Sequence, residues 1–525
     1  MPYALLMLAA AALQAPGPRQ PPAPAPMPTL VVHITVDQFR ADYLDRWRSQ
    51  LTGGLARLLR EGAVFTEAYQ DHAMTETAPG HATVLSGRNP HSTGIVHNDE
   101  GVLDTTATGR LVGVTGPGAS PWRFRGTELF DWIQARYPDA RALSVSRKDR
   151  AAILPIGKAR QQVYWYQRGQ FTTSRYYAAS LPDWVRSFNV DLADESAALR
   201  GWDLLLPARE YAEPDSAPNP FLGRDITFPH LLPGSRNGAY PIIATPFMDS
   251  LTLAFALAGM NKLQLGRGPS PDLLAISLSS TDAIGHAFGP DSREIHDQVI
   301  RLDRYLGQFL DSLFRLRDPR RVVVSLTADH GVTSYPQWSR AHGDTAAKEV
   351  DISSVLDATE MTLVSRAGPG AWIRWLGLGM LVIDREHLAA SQIDVDRVVA
   401  DLAAQIGAVP GVLRVDTPRS LARADTSRDA VARRWLNAIP PDLGVELCVT
   451  LKPHDVWGPV TNAEHGQPSE DDAHVALIIV GDGVRPGLYS QRVQVADLAP
   501  TLAQLVGVPP LEKLDGRVLT EALRR

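Results

Sequence analysis

Four stretches of this chain are continuously apolar and rich in Val, Ile and Leu. They are Leu30–Val36 (LVVHITV), residues 273–278 (LLAISL), Val322–Thr327 (VVVSLT) and residues 475–480 (VALIIV). Runs without polar alternation suit strands buried on both faces, as in a parallel sheet between helices. Residues 293–315 place Ile295, Val299, Leu302, Leu306, Phe309 and Leu313 at spacings of three and four, which predicts a helix with one apolar stripe. Asp497 reads as a helix N-cap, and Gly507 as the stop of that helix. Strands alternating with helices place the chain in the α/β class, with a mostly parallel central sheet and helices on both faces.

The residues at the ends of these strands carry the chemistry. The first run ends at Asp37, the second leads into Asp282 and His286, and the third into Asp329-His330. Ligands of open α/β sheets bind beyond the carboxyl ends of the strands. Three strand ends thus deliver Asp and His to one edge. Carboxylate with imidazole suits Zn²⁺, with Mn²⁺ or Co²⁺ also chemically acceptable. Asp282 and His286 are four apart, so a short loop or turn around Gly285 can aim both at one ion. Asp329 and His330 are adjacent and would diverge in an extended strand. They share an ion only if the chain turns there, which Gly331 permits. His465, in Glu464-His465-Gly466 before the fourth run, is the best remaining ligand. His342 and His474 read as surface or supporting residues. His81, His91 and His97 read as shaping the loop around Thr77. The spacing Gly481-x-Gly483-x-x-x-Gly487 does not make a dinucleotide loop, because Pro486 interrupts it and no suitably placed acid comes after it.

The segment TETAPGHATVLSGRNPHSTGIVHND, residues 75–99, is the second informative stretch. Ala78-Pro79-Gly80 lets the backbone turn and present Thr77 at a helix start, with Pro in the first turn, where a missing N–H costs little. The free N–H groups of that turn favour an anion. A threonine hydroxyl is a weak nucleophile until a metal ionises it. Asn98 offers an amide donor for a phosphate-like oxygen.

The 525 residues allow one to three domains, and a net charge of −6 argues against nucleic acid as a partner. Cys448 is the single cysteine, so there is no internal disulfide or thiolate cluster, and its setting predicts a buried small residue. Residues 4–13 form an unbroken apolar run, too short to span a bilayer and suited to a signal peptide over 1–15. Residues 16–28 hold seven Pro in thirteen positions, a stiff extended linker. The expected catalytic domain is 29–525, with insertions or a cap at about 100–240 and 345–455, where patterning is least regular. Export without disulfides points to a bacterial periplasmic or secreted enzyme.

Taken in order, Asp37, Thr77-Ala78-Pro79-Gly80-His81, Asn98-Asp99, Asp282-x-x-x-His286, Asp329-His330-Gly331 and His465-Gly466 resemble the alkaline phosphatase superfamily over nearly all of residues 29–525. Ser146-Arg147-Lys148-Asp149-Arg150 looks like the Lys-Asp-Arg segment of its phosphate-irrepressible (PafA-like) monoesterases. The aromatic stretch from Tyr164-Trp165-Tyr166 to Trp184 also resembles that branch. If the Lys-Asp-Arg segment is extended, Lys148 and Arg150 share one face and suit a phosphoryl dianion. The resemblance implies two Zn²⁺, one held by Asp37, Thr77, Asp329 and His330, the other by Asp282, His286 and His465. It also implies hydrolysis of small phosphate monoesters through a phosphothreonine at Thr77, with Asn98, Lys148 and Arg150 on the non-bridging oxygens. A sulfatase is disfavoured, because the nucleophile position is Thr. The alternatives are a phosphodiesterase or nucleotide pyrophosphatase on the same scaffold, and a non-catalytic metal-binding surface module.

Overall fold

The computed structural model describes residues 27–216, 226–234, 241–458 and 463–524. The signal peptide expected over 1–15 and nearly all of the 16–28 linker lie outside the described residues. No helix among the described residues is long and apolar enough to cross a membrane.

A ten-stranded sheet organises the chain. In chain order its strands are β1 (Leu30–Val36), β2 (Ala63–Tyr69), β3 (Ala142–Ser146), β4 (Gln162–Gln167), β5 (Gln170–Thr172), β6 (Asp272–Leu278), β7 (Val322–Thr327), β8 (His474–Val480), β9 (Gly487–Tyr489) and β10 (Val493–Gln494). Across the sheet they run β9-β2-β8-β7-β1-β6-β3-β4-β5, and β10 pairs with β2. β1 lies at the centre, parallel to β6 and β7, with Val36 opposite Leu278 and Thr35 opposite Thr327. Every residue of β1, β6 and β7 is buried, as their unbroken apolar runs predict. The fourth run departs from the parallel expectation, because β8 is antiparallel to both β7 and β2. Apolarity reports burial on two faces; it carries no information on strand direction.

Helices cover both faces. The predicted stripe forms Arg293–Leu316, with Ile295, Val299, Leu302, Leu306, Phe309 and Leu313 buried and Ser292 capping through the Ile295 N–H. Asp497 stands at the start of Leu498–Leu505 but does not cap it. Its carboxylate accepts from the Gln494 and Arg517 N–H groups instead.

Residues 373–451 carry a second, four-stranded antiparallel sheet, ordered Ile373–Leu376, Met380–Ile383, Val445–Leu451, Val412–Asp416. One of its faces packs Leu381, Ile383 and Leu447 with Leu402 and Ile406 of the helix Val395–Gly407. The other packs Met380 and Cys448 with Trp435, and this cluster runs on into Ala73, Met74 and Val96. Cys448 is buried, as its sequence setting predicts. The second sheet therefore rests on the loops that flank Thr77.

Candidate metal centre and nucleophile

The carboxyl ends of β1, β6 and β7 bring together the residues that the sequence singles out. Asp37 follows β1 directly. Asp282 and His286 lie one turn apart on the helix Ser280–Phe288, so a helix face aims them together where the sequence suggests a loop or turn. Asp329 and His330 follow β7 in irregular backbone. Gly331 is not in a left-handed conformation there; a Cβ on it would lie 2.1 Å from the Asp471 carbonyl oxygen, so close approach is what requires glycine.

Two clusters result: Asp37, Asp329 and His330, and Asp282, His286 and His465, each with ligand atoms within 4.8 Å of one another. Each histidine is held in one tautomer. His330 Nδ1 donates to the Gly331 carbonyl at 2.9 Å, His286 Nδ1 to that of Ala463 at 2.7 Å, and His465 Nδ1 to that of Thr75 at 2.8 Å. All three Nε2 lone pairs are thereby turned inward. The Nε2 atoms of His286 and His465 stand 3.2 Å apart, and His330 Nε2 stands 3.5 Å from Asp37 Oδ1. Neither Asp37 Oδ1 nor His330 Nε2 has a hydrogen-bond partner among the described residues. Converging lone pairs and carboxylates fit divalent cations with oxygen and imidazole ligands.

The electrostatics agree. Asp37, Asp282 and Asp329 are buried carboxylates sharing one ammonium, Lys148, whose Nζ lies 2.6 Å from Asp37 and 2.7 Å from Asp282. Burial, then repulsion from Asp282 and Asp329, pushes the Asp37 carboxyl well above its usual range. Burial also works to raise Asp282, but Lys148 and His286 hold it well below. Burial and the neighbouring His330 and His286 keep His465 neutral, its pKa well below the ordinary value. The excess buried negative charge calls for a cation.

Thr77 opens the helix Thr77–Val84 and is 1% exposed. Glu76 precedes it in extended backbone at the N-cap position. Gly80 answers for the Pro-Gly step, because a Cβ there would lie 2.2 Å from the Asp329 carbonyl oxygen. Only glycine lets this helix settle onto the β7 end. Asn98 Oδ1 accepts from the Ala78 N–H at 2.9 Å, which takes one of the helix-start donors expected for an anion. The Asn98 amide is thereby oriented, with its NH₂ as the end left to donate. Lys148 reaches Thr77, with Nζ 3.0 Å from Oγ1.

The Lys-Asp-Arg segment is not extended throughout. Lys148 has extended backbone after β3, but Asp149–Ile153 is helical. Lys148 and Arg150 do not share a strand face. Arg150 instead stands in the field of Glu76. Tyr164 and Trp165 are buried in β4, and Tyr164 packs edge-on against Trp184 and Phe255.

Several supporting residues escape sequence reasoning. Gln38, in left-handed backbone at φ 63°, donates its N–H to Asp329 Oδ1 and its Nε2 to Asp282 Oδ1. The Glu76 carboxylate accepts the Asn98 N–H at 2.7 Å, and burial against that bond pushes its pKa up to about 7. Thr75 Oγ1 accepts from the Gly466 N–H, tying the His465 segment to the nucleophile loop. His81 shapes that loop as expected, its Nδ1 donating to the Thr77 carbonyl and lying 3.2 Å from Asp329. His91 and His342 are exposed, and His474 stacks on Tyr69 at the carboxyl end of β2.

The family described as type I phosphodiesterase / nucleotide pyrophosphatase matches residues 31–446. Alkaline phosphatase PhoK of Sphingomonas sp is 34% identical over 526 residues, spanning 94% of this chain and 91% of PhoK. Alkaline phosphatase PafA of Elizabethkingia meningoseptica is 29% identical, spanning 95% of each chain. The crystal structure of wild-type PafA matches with a TM-score of 0.85 at 27% identity, over 95% of this chain and 99% of that one.

Proposed function

The chain belongs to the type I phosphodiesterase/nucleotide pyrophosphatase family, and from that premise we propose that it hydrolyses phosphate monoesters with Thr77 as nucleophile. It is a phosphatase, and the relatives it matches over more than nine-tenths of both chains include the alkaline phosphatases PhoK and PafA. The observation that carries the monoester reading is Lys148, a buried ammonium 3.0 Å from the Thr77 hydroxyl. A monoester brings a dianionic phosphoryl group, and a buried cation beside the attacking oxygen favours that charge over the monoanion of a diester.

The metals we assign are two Zn²⁺, one for Asp37, Thr77, Asp329 and His330, the other for Asp282, His286 and His465. Bound divalent cations would lower the pKa of the Thr77 hydroxyl and offset charge on the departing oxygen. The rest is done by the chain. The helix start aims Thr77 Oγ1 at phosphorus, and the Asn98 NH₂ and Lys148 Nζ draw the non-bridging oxygens into line. Arg150 completes the charge on that side. The P–O bond to the alcohol breaks as the bond to Thr77 forms, and water then hydrolyses the phosphothreonine. Of the two expected insertions, the one at 100–240 supplies β3, β4 and β5 to the central sheet, so a cap over this edge would come from residues 345–455, which carry the second sheet. The apolar run at residues 4–13 supports export to the periplasm or medium.

The test is kcat/KM for an aryl phosphate monoester against the matching diester, with metal content measured on the same sample. Preference for the monoester is the expected result. A preference for the diester replaces this reading with a phosphodiesterase.

A further inference from the structure

A cavity of about 430 Å³ opens where the loops 94–101 and 122–125 meet Lys158 and the first strand of the second sheet. His97 lines it, and the next residue, Asn98, is the one whose amide is anchored at the Thr77 helix. The cavity and the nucleophile are thus two sides of one short segment. Its walls carry Arg123, Arg125, Lys158 and Arg374, with Glu100 as the opposing carboxylate. In a chain of net charge −6 this is a local inversion of sign.

These cations are not equally occupied. Arg125 is clamped by both oxygens of Asp442, at 2.9 and 2.7 Å. Arg123 donates to the carbonyls of Glu100 and Leu103. Lys158 and Arg374, from two separate segments, have no ion pair among the described residues. His97 is only 6% exposed, and its Nδ1 has no hydrogen-bond partner among the described residues. Cations that merely solubilise a surface spread apart. Here four of them line one concave wall, with a buried ring nitrogen left over; Glu100 and Asp442 offset only Arg123 and Arg125, so an anion is favoured beside Lys158 and Arg374.

We propose that this cavity binds a second anionic group, phosphate or carboxylate, on a substrate whose scissile phosphate lies at Thr77. The enzyme then favours bis-anionic phosphate esters over esters of neutral alcohols. This rests on the phosphatase reading above. Lys158 and Arg374 act as specificity residues, and they touch the distal anion without taking part in bond breaking.

The test uses alkyl phosphates of graded chain length ending in hydroxyl, carboxylate or phosphate, beside an aryl phosphate without a second charge. At the length that spans the two sites, the ω-anion should raise kcat/KM by about tenfold over the ω-hydroxyl, mainly through KM. Whichever of carboxylate and phosphate gains more identifies the group. Lys158→Gln with Arg374→Gln should abolish that gain while leaving the aryl phosphate within about twofold. No gain at any length, a gain that survives the double substitution, or an equal loss on the aryl phosphate overturns the proposal. Absence of aryl phosphate hydrolysis by the unaltered enzyme instead removes the phosphatase reading itself.

Discussion

Lys148 Nζ donates to Thr77 Oγ1 across 3.0 Å, and the same ammonium lies 2.6 Å from Asp37. One buried cation is therefore shared between the Thr77 hydroxyl and a carboxylate of the candidate metal centre. The proposed nucleophile, a candidate metal ligand and the proposed phosphoryl-binding charge are thus coupled at a single side chain, and the consequences of altering each can be separated by experiment.

Removing the hydroxyl should remove the covalent route. Thr77→Ala is expected to lose several orders of magnitude in kcat, whereas Thr77→Ser, which keeps an oxygen at the helix start, should retain substantial activity. Acid quenching during turnover should trap phosphate on Thr77. Label recovered on another residue would move the nucleophile.

Purified enzyme should contain close to two Zn²⁺ per chain and lose activity to a chelator. Asp282→Ala or His465→Ala should release one metal in preference to the other, because both side chains belong to the cluster with His286. Metal analysis is the readout. Two metals retained in His465→Ala would show that His465 is not a ligand.

Lys148→Ala combined with Arg150→Ala should depress monoester kcat/KM by very roughly 10²- to 10⁴-fold, each charged hydrogen bond being worth about 1.5–3 kcal/mol. Diester hydrolysis should fall far less. The ratio of the two activities is the measurement, since a folding defect would lower both alike. Equal losses would count against Lys148 and Arg150 as the source of monoester preference.

Gly80→Ala would set a methyl group 2.2 Å from the Asp329 carbonyl oxygen. Relief requires the nucleophile helix or the Asp329 backbone to move, at a cost of about 1–3 kcal/mol. Denaturant midpoint should drop, and kcat/KM should drop by more than the lost stability explains. An unchanged midpoint with full activity would mean that the helix does not need this close approach.

The candidate ligands Asp37, Asp329 and His330 were legible in the sequence because they directly follow apolar strands, and burial of such strands leaves a visible pattern. Thr77 was legible through its Pro-Gly step. Strand direction was not, since β8 is as apolar as the mutually parallel β1, β6 and β7 yet runs the other way. The helical turn at Asp149 was not legible either, because a five-residue helix after Lys148 has no periodicity to detect. Gln38 and Glu76 act through hydrogen bonds to residues distant in sequence, and a lone polar residue beside an Asp or a Thr carries no spacing signal. The second sheet was hidden for another reason: its strands of four to seven residues are short enough to pass for irregular chain.

The central position of β1 has a consequence for how the molecule forms. Its partners are residues 272–278 and 322–327, so the sheet core closes only after loops of hundreds of residues have been drawn shut. Such contact order makes folding slow and late in commitment. Asp37 meets Asp329 only once the partner strand is in place, and His465 comes from farther still along the chain. Acquisition of the metal set therefore reports completion of the topology, and a refolding chain should gain full metal affinity only in its slowest phase.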